Sequence, residues 1–341
     1  MKFSTQFRLG LSVLALLHLA VLVPGFFAPY DPAEQDRSLS FAPPTAIHFK
    51  AHDGSWRLRP FIYSVTASDD GNYAEQSGPE YPLRFFVRAA PYRLFGIIPC
   101  ATHLVGVDAQ AKFLLIGADR YGRDQFSRLL YGGQISLFAG LLAAALSLSL
   151  GAILGIVAGF YGKWIDDGLM RLAELFLALP WLYLLFAVRA FLPLAVSPTT
   201  TFFLVVIIIG LVGWVRPARL VRGIVLSAKE RKYVLAARGF GASDLYLLRR
   251  HIVPETYSVL LTQATLLVPQ FILAEVTLSF LGLGIAEPVP SWGNMLSSLQ
   301  QYHVLVSYWW MFLPGLALAV VFLGYFSVAD ALEKHVQSAS S

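Results

Sequence analysis

Residues 233–254 read YVLAARGFGASDLYLLRRHIVP, a polar and basic stretch between two long apolar segments. From Trp214 to Pro254, nine basic residues (Arg216, Arg219, Arg222, Lys229, Arg231, Lys232, Arg238, Arg249 and Arg250) oppose two acids, Glu230 and Asp244. A short loop with that excess stays on the cytoplasmic side of a membrane. Its pattern is helical on both sides of a break. Tyr233 to Phe240 is rich in Ala and Leu, Gly241 permits a turn, and Ser243 can cap a second helix that carries Asp244 in its first turn. The expectation is a short helix-turn-helix lying against the membrane. Ala236, Ala237 and Gly241 leave one side nearly bare, so that another protein can approach closely.

Composition sets the wider frame. Of 341 residues, 56% are hydrophobic and 14% charged, far more apolar surface than a soluble core needs, which predicts an all-α polytopic membrane protein. The net charge of +5 is concentrated in the basic loop, and no basic groove with interleaved aromatics accompanies it, so topology rather than nucleic acid accounts for it. The single cysteine, Cys100, excludes an internal disulfide and a Cys-based metal cluster. A phosphate-binding loop needs G-x-x-x-x-G-K-[ST], whereas Gly162-Lys163 has Val157 in place of the first glycine and Trp164 in place of Ser or Thr. The chain is therefore not expected to hydrolyse ATP alone. There is no H-E-x-x-H or G-x-S-x-G, and the seven histidines are scattered, so no metal or directly bound cofactor is expected.

Hydropathy then divides the chain. Segment 1–29 holds a first membrane helix over Leu9–Phe27, about 28 Å long, with its amino end inside. Segment 30–112 is punctuated by Pro, Gly, Asp and Ser, and its nine acids oppose eight bases. It reads as a water-exposed external insertion, β-rich over Trp56–Thr66 and Leu83–Phe95, that either meets a binding protein or caps the outer mouth. Segment 113–341 carries five further spans, over Ile135–Phe160, Leu172–Leu194, Phe202–Val215, Tyr257–Ile285 and Tyr308–Val328. The fourth reaches full length only by running on through Arg216-Pro217, with a kink at the proline. Six spans put Lys163–Arg171, the basic loop and the carboxyl end (Asp330, Glu333, Lys334) on one side, as the positive-inside rule requires.

Several residues within this frame admit more than one role. Gly151, Gly155 and Gly159 recur every four residues and mark a bulk-free helix face, either at a pathway or subunit interface or in ordinary tight packing. Glu275, in LLVPQFILAEVTLSFLGLG, is a carboxylate at membrane depth, suited to a pathway or gate, a hydrogen bond to a neighbouring helix, or a protein-lined bend beside Pro269. Glu174 reads as an interfacial partner for Arg171. His251 reads as a structural hydrogen-bonding residue. Trp292, Trp309, Trp310, Tyr302 and Tyr308 read as an aromatic belt.

The series Ala236-Ala237, Gly241, Arg250-His251-Ile252 and Pro254 resembles the EAA loop of membrane-spanning subunits of bacterial ABC importers. With Gly117-Ala118-Asp119, Gly122-Arg123-Asp124, Ser127–Gly132, Leu179-Pro180, Ser279–Gly284 and Pro290–Met295, it is similar to the C-type permease subunit of dipeptide, oligopeptide and nickel importers, from about Gly117 to Glu333. One departure is central: Leu235 stands where the acid that names the loop is usual.

The resemblance implies a type I ABC importer permease fold of six transmembrane helices in a bacterial or archaeal cytoplasmic (inner) membrane, with both termini cytoplasmic. It implies a second homologous permease subunit as heterodimer partner and two cytoplasmic ATPase subunits, which use ATP and Mg, docked on 229–254 through Leu235, Ala236, Ala237, Gly241, Ser243, Asp244, Arg250, His251 and Pro254. It further implies an external substrate-binding protein that delivers peptides, with surrounding lipid as the remaining partner. An acid at the place of Glu275 is typical of the family. Two other readings remain: a secondary transporter or channel driven by an ion gradient, which needs several intramembrane ionisable groups, and a membrane scaffold.

Overall fold

A proline interrupts a helix because it lacks an N–H and crowds the carbonyl four residues back. It also pushes the residue before it out of the helical region. Two such places shape this chain. The computed structural model describes residues 5–67, 73–76, 78–108, 111–191 and 196–340, with the backbone alone at 333 and 335–340. Asp69 and Asp70 of the insertion, and residues 192–194 at the end of the expected third span, lie outside the described residues.

The helices are α1 (Thr5–Leu22), α2 (Pro24–Phe27), α3 (Gln125–Tyr161), α4 (Lys163–Ala178), α5 (Trp181–Ala190), α6 (Pro198–Gly213) and α7 (Val215–Lys229). They continue with α8 (Lys232–Gly239), α9 (Asp244–Leu247), α10 (Val253–Phe280), α11 (Trp292–Ser297), α12 (Tyr302–Ser307) and α13 (Leu313–Ser340). Among the described residues, Thr5–Leu22, Gln125–Tyr161, Asp244–Phe280 and Trp309–Leu332 are each long and apolar enough to cross a membrane. The pairs α4–α5 and α6–α7 bring the number to six if each counts as one span.

The first pair breaks the third span, expected unbroken over Leu172–Leu194, and the second carries the kink expected in the fourth. The α4–α5 pair bends by 91° at Leu179-Pro180. There Leu179 is extended (φ −97°, ψ 138°), the conformation a following proline favours. The α6–α7 pair bends by 41° at Trp214, one residue after Gly213, the carbonyl that Pro217 cannot serve. The expected kink at Pro217 thus falls at the carbonyl rather than at the ring. Other boundaries move too. The first helix stops at Leu22 because Pro24 opens a new turn, Lys163–Arg171 is helical rather than a loop, and the fifth span runs from 244 to 280 instead of 257 to 285.

The chain forms two compact units, one of Met1–Leu14, Leu137–Leu278 and Val320–Ser341, the other of Ala15–Ser136 and Ser279–Ala319. In the first, α3 lays its glycine face on α7. A Cβ built on Gly151 would lie 2.6 Å from the Cβ of Pro217, one on Gly155 2.5 Å from the Ala218 carbonyl, and one on Gly159 2.8 Å from the Cβ of Val225. No side chain fits there. Lys229 Nζ donates to the Gly159 carbonyl at 3.0 Å, and Arg222 on α7 pairs through both Nε and a terminal nitrogen with Asp166 on α4. Arg171 and Glu174, expected to pair, are both exposed and form no ion pair among the described residues.

The second unit contains the strands β1 (His48–Lys50), β2 (Trp56–Ile62), β3 (Val65–Ala67), β4 (Tyr73–Glu75), β5 (Tyr81–Pro82), β6 (Arg84–Leu94) and β7 (Ile98–Gly106). They make an antiparallel sheet β1-β2-β5, the pair β3-β4 and the hairpin β6-β7. Segment 117–128 holds a buried ionic core. Asp119 Oδ2 accepts from Arg123 Nε at 2.7 Å, and Glu287 accepts from Arg123 and from Arg128, the latter at 2.9 Å. Arg123 and Arg128 are almost wholly buried, which such charges tolerate only when paired.

The expected aromatic belt divides in this unit. Trp292 and Trp310 are buried and donate their indole N–H to the carbonyls of Leu129 at 2.9 Å and Ala118 at 3.0 Å. Tyr308 stacks on Phe41 at 4.2 Å, and only Trp309 and Tyr302 are exposed. Their burial follows from partners far away in sequence, which a belt reading does not consider.

Two outcomes follow from this packing. Gly155→Ala overlaps the Ala218 carbonyl and should cost about 1–3 kcal/mol, read as a lower melting temperature in detergent. Gly168→Ala, where a Cβ meets nothing within 4 Å, should leave stability unchanged or raise it slightly. Equal effects would remove the close contact.

The second concerns Asp124, whose carboxyl burial raises from the ordinary 3.8 to about 6, partly offset by the Ser127 hydroxyl and N–H it accepts. A raised acid favours the fold below pH 4 and loses that advantage as pH rises through 6. The difference is about 3 kcal/mol. Melting curves of Asp124→Asn and wild type should therefore separate between pH 4 and 6, with wild type falling relative to the variant. Parallel curves would contradict a buried carboxylate.

Candidate coupling surface and buried acid

The quoted loop is built from local chemistry that its sequence spells out. α8 ends in a Schellman turn: Gly241 N–H donates to the Arg238 carbonyl and Ala242 N–H to the Ala237 carbonyl, each at 3.0 Å. Gly241 holds φ at +83°, a conformation open to glycine at little cost. Ser243 then caps α9, its hydroxyl accepting from Tyr246 N–H at 3.4 Å. Asp244 occupies the first turn. From α9 the chain passes through a single π-helical turn, Leu248–Ile252, into α10, so that 244–280 is one continuous rod.

Packing fixes this helix-turn-helix to the first unit. Val234 of α8, Leu247 of α9 and Ile252 are buried together with Phe160, Val221, Val225 and Ala228. Arg231 donates to Glu255 at 2.8 Å and the Tyr233 hydroxyl to the same oxygen at 3.0 Å, tying the start of α8 to the start of α10. His251 lies between the rings of Tyr233 and Tyr246, 5.5 and 5.7 Å from their centroids. Arg250 and Pro254 are exposed.

The bare side differs from its expected composition. Ala237 is half-buried and packs on the valine cluster, one helical turn from Val234, so it belongs to the support rather than to the outer surface. Outward stand Ala236, Gly239 and Gly241, flanked by Leu235 (47% exposed), Phe240 (93%) and Leu245 (63%). Sequence reading passed over Phe240 and Leu245. Their signal was available: a phenylalanine between two glycines has no helical turn to cover it, and Leu245 is out of phase with the buried Leu247. Large apolar side chains around a small flat centre make a surface suited to a protein partner.

Glu275 is fully buried on α10, thirty-one residues along the rod from Asp244. Arg189 on α5, a cation unremarked in the sequence, is fully buried in the same unit. A cleft of about 240 Å³ opens at the α4–α5 bend, lined by Pro180, Trp181, Val212, Arg216, Gln270 and Phe271 among others, and Glu275 is not in its wall. Among the described residues no group of His, Cys, Asp and Glu is arranged to hold a metal ion.

Comparison with known proteins places this architecture. The family described as binding-protein-dependent transport system inner membrane component matches residues 151–338. A dipeptide transport system permease protein of Bacillus subtilis (strain 168) is 37% identical over 218 residues, 64% of this chain and 66% of that one. An oligopeptide transport system permease protein of the same organism is 37% identical over 233 residues, 68% of this chain and 74% of that one. A putative peptide transport system permease protein of Brucella suis biovar 1 (strain 1330) is 39% identical over 218 residues, 64% and 71% of the two chains. A solved chain of a methionine ABC transporter in an inward-facing conformation superposes with a TM-score of 0.43 at 16% identity, over 60% of this chain and 95% of that one. With its multiple apolar helices and the family match over more than half its length, the chain belongs to the binding-protein-dependent transport system inner membrane components.

Proposed function

We propose that this chain is a pathway subunit of an ATP-driven importer of di- or oligopeptides, and that α8–α9 is the joint through which ATPase subunits drive it. The observation that carries this reading is mechanical. The outward surface of α8–α9 is small-centred and apolar-rimmed, its underside is locked into a valine core, and α9 continues as a rod to Glu275. Thirty-one residues of helix, with Pro269 inside it, span about 46 Å, so a push on the loop is carried toward membrane depth along one helical segment. Two cytoplasmic ATPase subunits, holding the ATP and Mg themselves, close on ATP binding, and the docked loops move with them. A second related permease subunit completes the pathway, and an external binding protein supplies the peptide. The charge excess of 214–254 favours a cytoplasmic loop, and with six spans both termini share that side. Gly151, Gly155 and Gly159 serve as the packing that keeps α7 rigid, and Glu275 as the acid on the pathway or its gate.

The support and the surface separate under mutation. Ala237→Arg places a cation against the valine cluster and should lower the melting temperature of the chain itself, whereas Ala236→Arg should not; equal melting temperatures would return Ala237 to the docking face.

In the assembled complex, purified by a tag on this chain, Ala236→Arg and Gly241→Val should reduce co-purified ATPase or uncouple its hydrolysis from ATP-dependent peptide uptake in proteoliposomes. Gly241→Val meets no neighbour but imposes a left-handed backbone on a β-branched residue, at about 1–2 kcal/mol. Leu235→Glu should be tolerated, because docking here leans on shape. Glu275→Gln should assemble normally with altered uptake or basal hydrolysis. Full ATPase recovery with full uptake in both loop variants would sink the coupling role, and wild-type behaviour of Glu275→Gln would remove the acid from the pathway.

A further inference from the structure

The hairpin β6–β7 leaves most of its first strand uncovered. Phe85, Phe86, Phe95, Ile97 and Ile98 are each more than half exposed. From Tyr81 to Val107 there are three arginines, Arg84, Arg88 and Arg93, and no Asp or Glu, although the insertion around it carries acids in excess. Exposed aromatic and aliphatic side chains in that density mark a surface with a partner.

Position identifies the partner. α1 is an apolar helix of 18 residues, about 27 Å long, close to the thickness of the hydrocarbon layer. α2 follows it after one residue, at the end of a stretch just long enough to cross that layer. The hairpin is fastened to α2. The ring of Tyr92 lies on Gly25, leaving no space for a side chain there. Phe86 approaches Phe26 with ring centroids 6.3 Å apart. Both ring nitrogens of His103 face carbonyl oxygens, those of Ala28 at 2.6 Å and Ala90 at 2.9 Å. Tyr92 precedes Phe95 at the hairpin tip by three residues, about 10 Å of strand, so the tip stays close to the point where Tyr92 meets α2. Headgroups occupy about 5–7 Å of each leaflet, a depth that a tip so placed can reach.

We propose that the β6–β7 hairpin is an interfacial membrane anchor: Phe85, Phe86 and the tip Phe95–Ile98 sit at the headgroup boundary of the leaflet where α1 ends, with Arg88 and Arg93 on anionic lipid phosphates. Aromatic rings favour that depth, and arginines reach from it to phosphate. A purely water-facing cap has no use for the three exposed phenylalanines.

A spin label tests this directly. Cys100 is the sole cysteine, so Cys100→Ser provides the background for Ile97→Cys. The full chain is labelled at 97 and reconstituted in phosphatidylcholine vesicles with or without phosphatidylglycerol. Collision rates with oxygen, which partitions into lipid, are compared with those of a water-soluble nickel chelate. Oxygen should dominate, more so with phosphatidylglycerol, and Arg88→Glu with Arg93→Glu should erase the added effect of the anionic lipid. Two results would overturn the anchor: a label that collides mainly with nickel in both vesicles, or one that becomes shielded only when a purified binding protein or second permease subunit is added. A lipid response unchanged by the arginine variants would remove the phosphate contacts.

Discussion

The contact between the glycine face of α3 and the side chains of α7 is the constraint on which the first unit depends. A bilayer offers helices no hydrophobic incentive to associate with one another, so close backbone approach and the dispersion it permits must hold them together. Gly151, Gly155 and Gly159 supply the approach, and Pro217, Ala218 and Val225 fill it. Val221 and Val225 also belong to the cluster that seats Val234, Leu247 and Ile252. Two valines one turn apart therefore face both the helix that steadies α7 and the helix-turn-helix that rests on it. The stiffness of the α8–α9 helix-turn-helix is inherited from that shared contact.

What the residues disclosed unaided was whatever short-range chemistry decides. The Schellman turn at Gly241, the Ser243 cap and the apolar lengths of the spans all depend on neighbours a few positions away. The strands of the insertion were legible for the same reason, through β-branched and aromatic alternation. Long-range packing was not legible. That Ala237 packs inward while Ala236 stands exposed is decided by the α3 and α7 residues that complete the cluster around Val234, none of which lies within 233–254. The 91° bend at Leu179-Pro180 had a local cause in the proline, but its size depends on what the two halves meet. The tryptophans misled because a belt and a buried anchor have the same composition and differ only in whether a carbonyl, here of Leu129 or Ala118, waits for the indole.

The ionic core of the second unit is a different kind of solution. Asp119, Arg123, Arg128 and Glu287 are spread over nearly 170 positions of sequence yet share their hydrogen bonds. Burying so much charge contributes little net stability, but removing any single partner strands another in a poor solvent. The loop after α10 is thereby held to the start of α3 by directional bonds that a sliding apolar contact would not provide. Asp119 and Arg123 stand among the residues quoted for the resemblance, but their pairing depends on Glu287, 164 positions from Arg123, which no local pattern reveals.

The junction of the insertion with the rest of the second unit has a consequence for how such chains change over time. Phe41 N–H bonds the Asp119 carbonyl, Ala118 N–H the Ala42 carbonyl, and Thr45 N–H the Leu114 carbonyl, each at 2.8 Å. The two ends of the intervening stretch are thus clipped side by side, and its other hold on the chain is the β6–β7 hairpin on α2. Lengthening a closed loop costs an entropy that grows only logarithmically with its length, about 0.6 kcal/mol for each doubling. Residues between Thr45 and Leu114 outside the β6–β7 hairpin can consequently grow, shrink or be exchanged among lineages while the membrane helices keep their geometry, which makes this clip a socket for modular evolution.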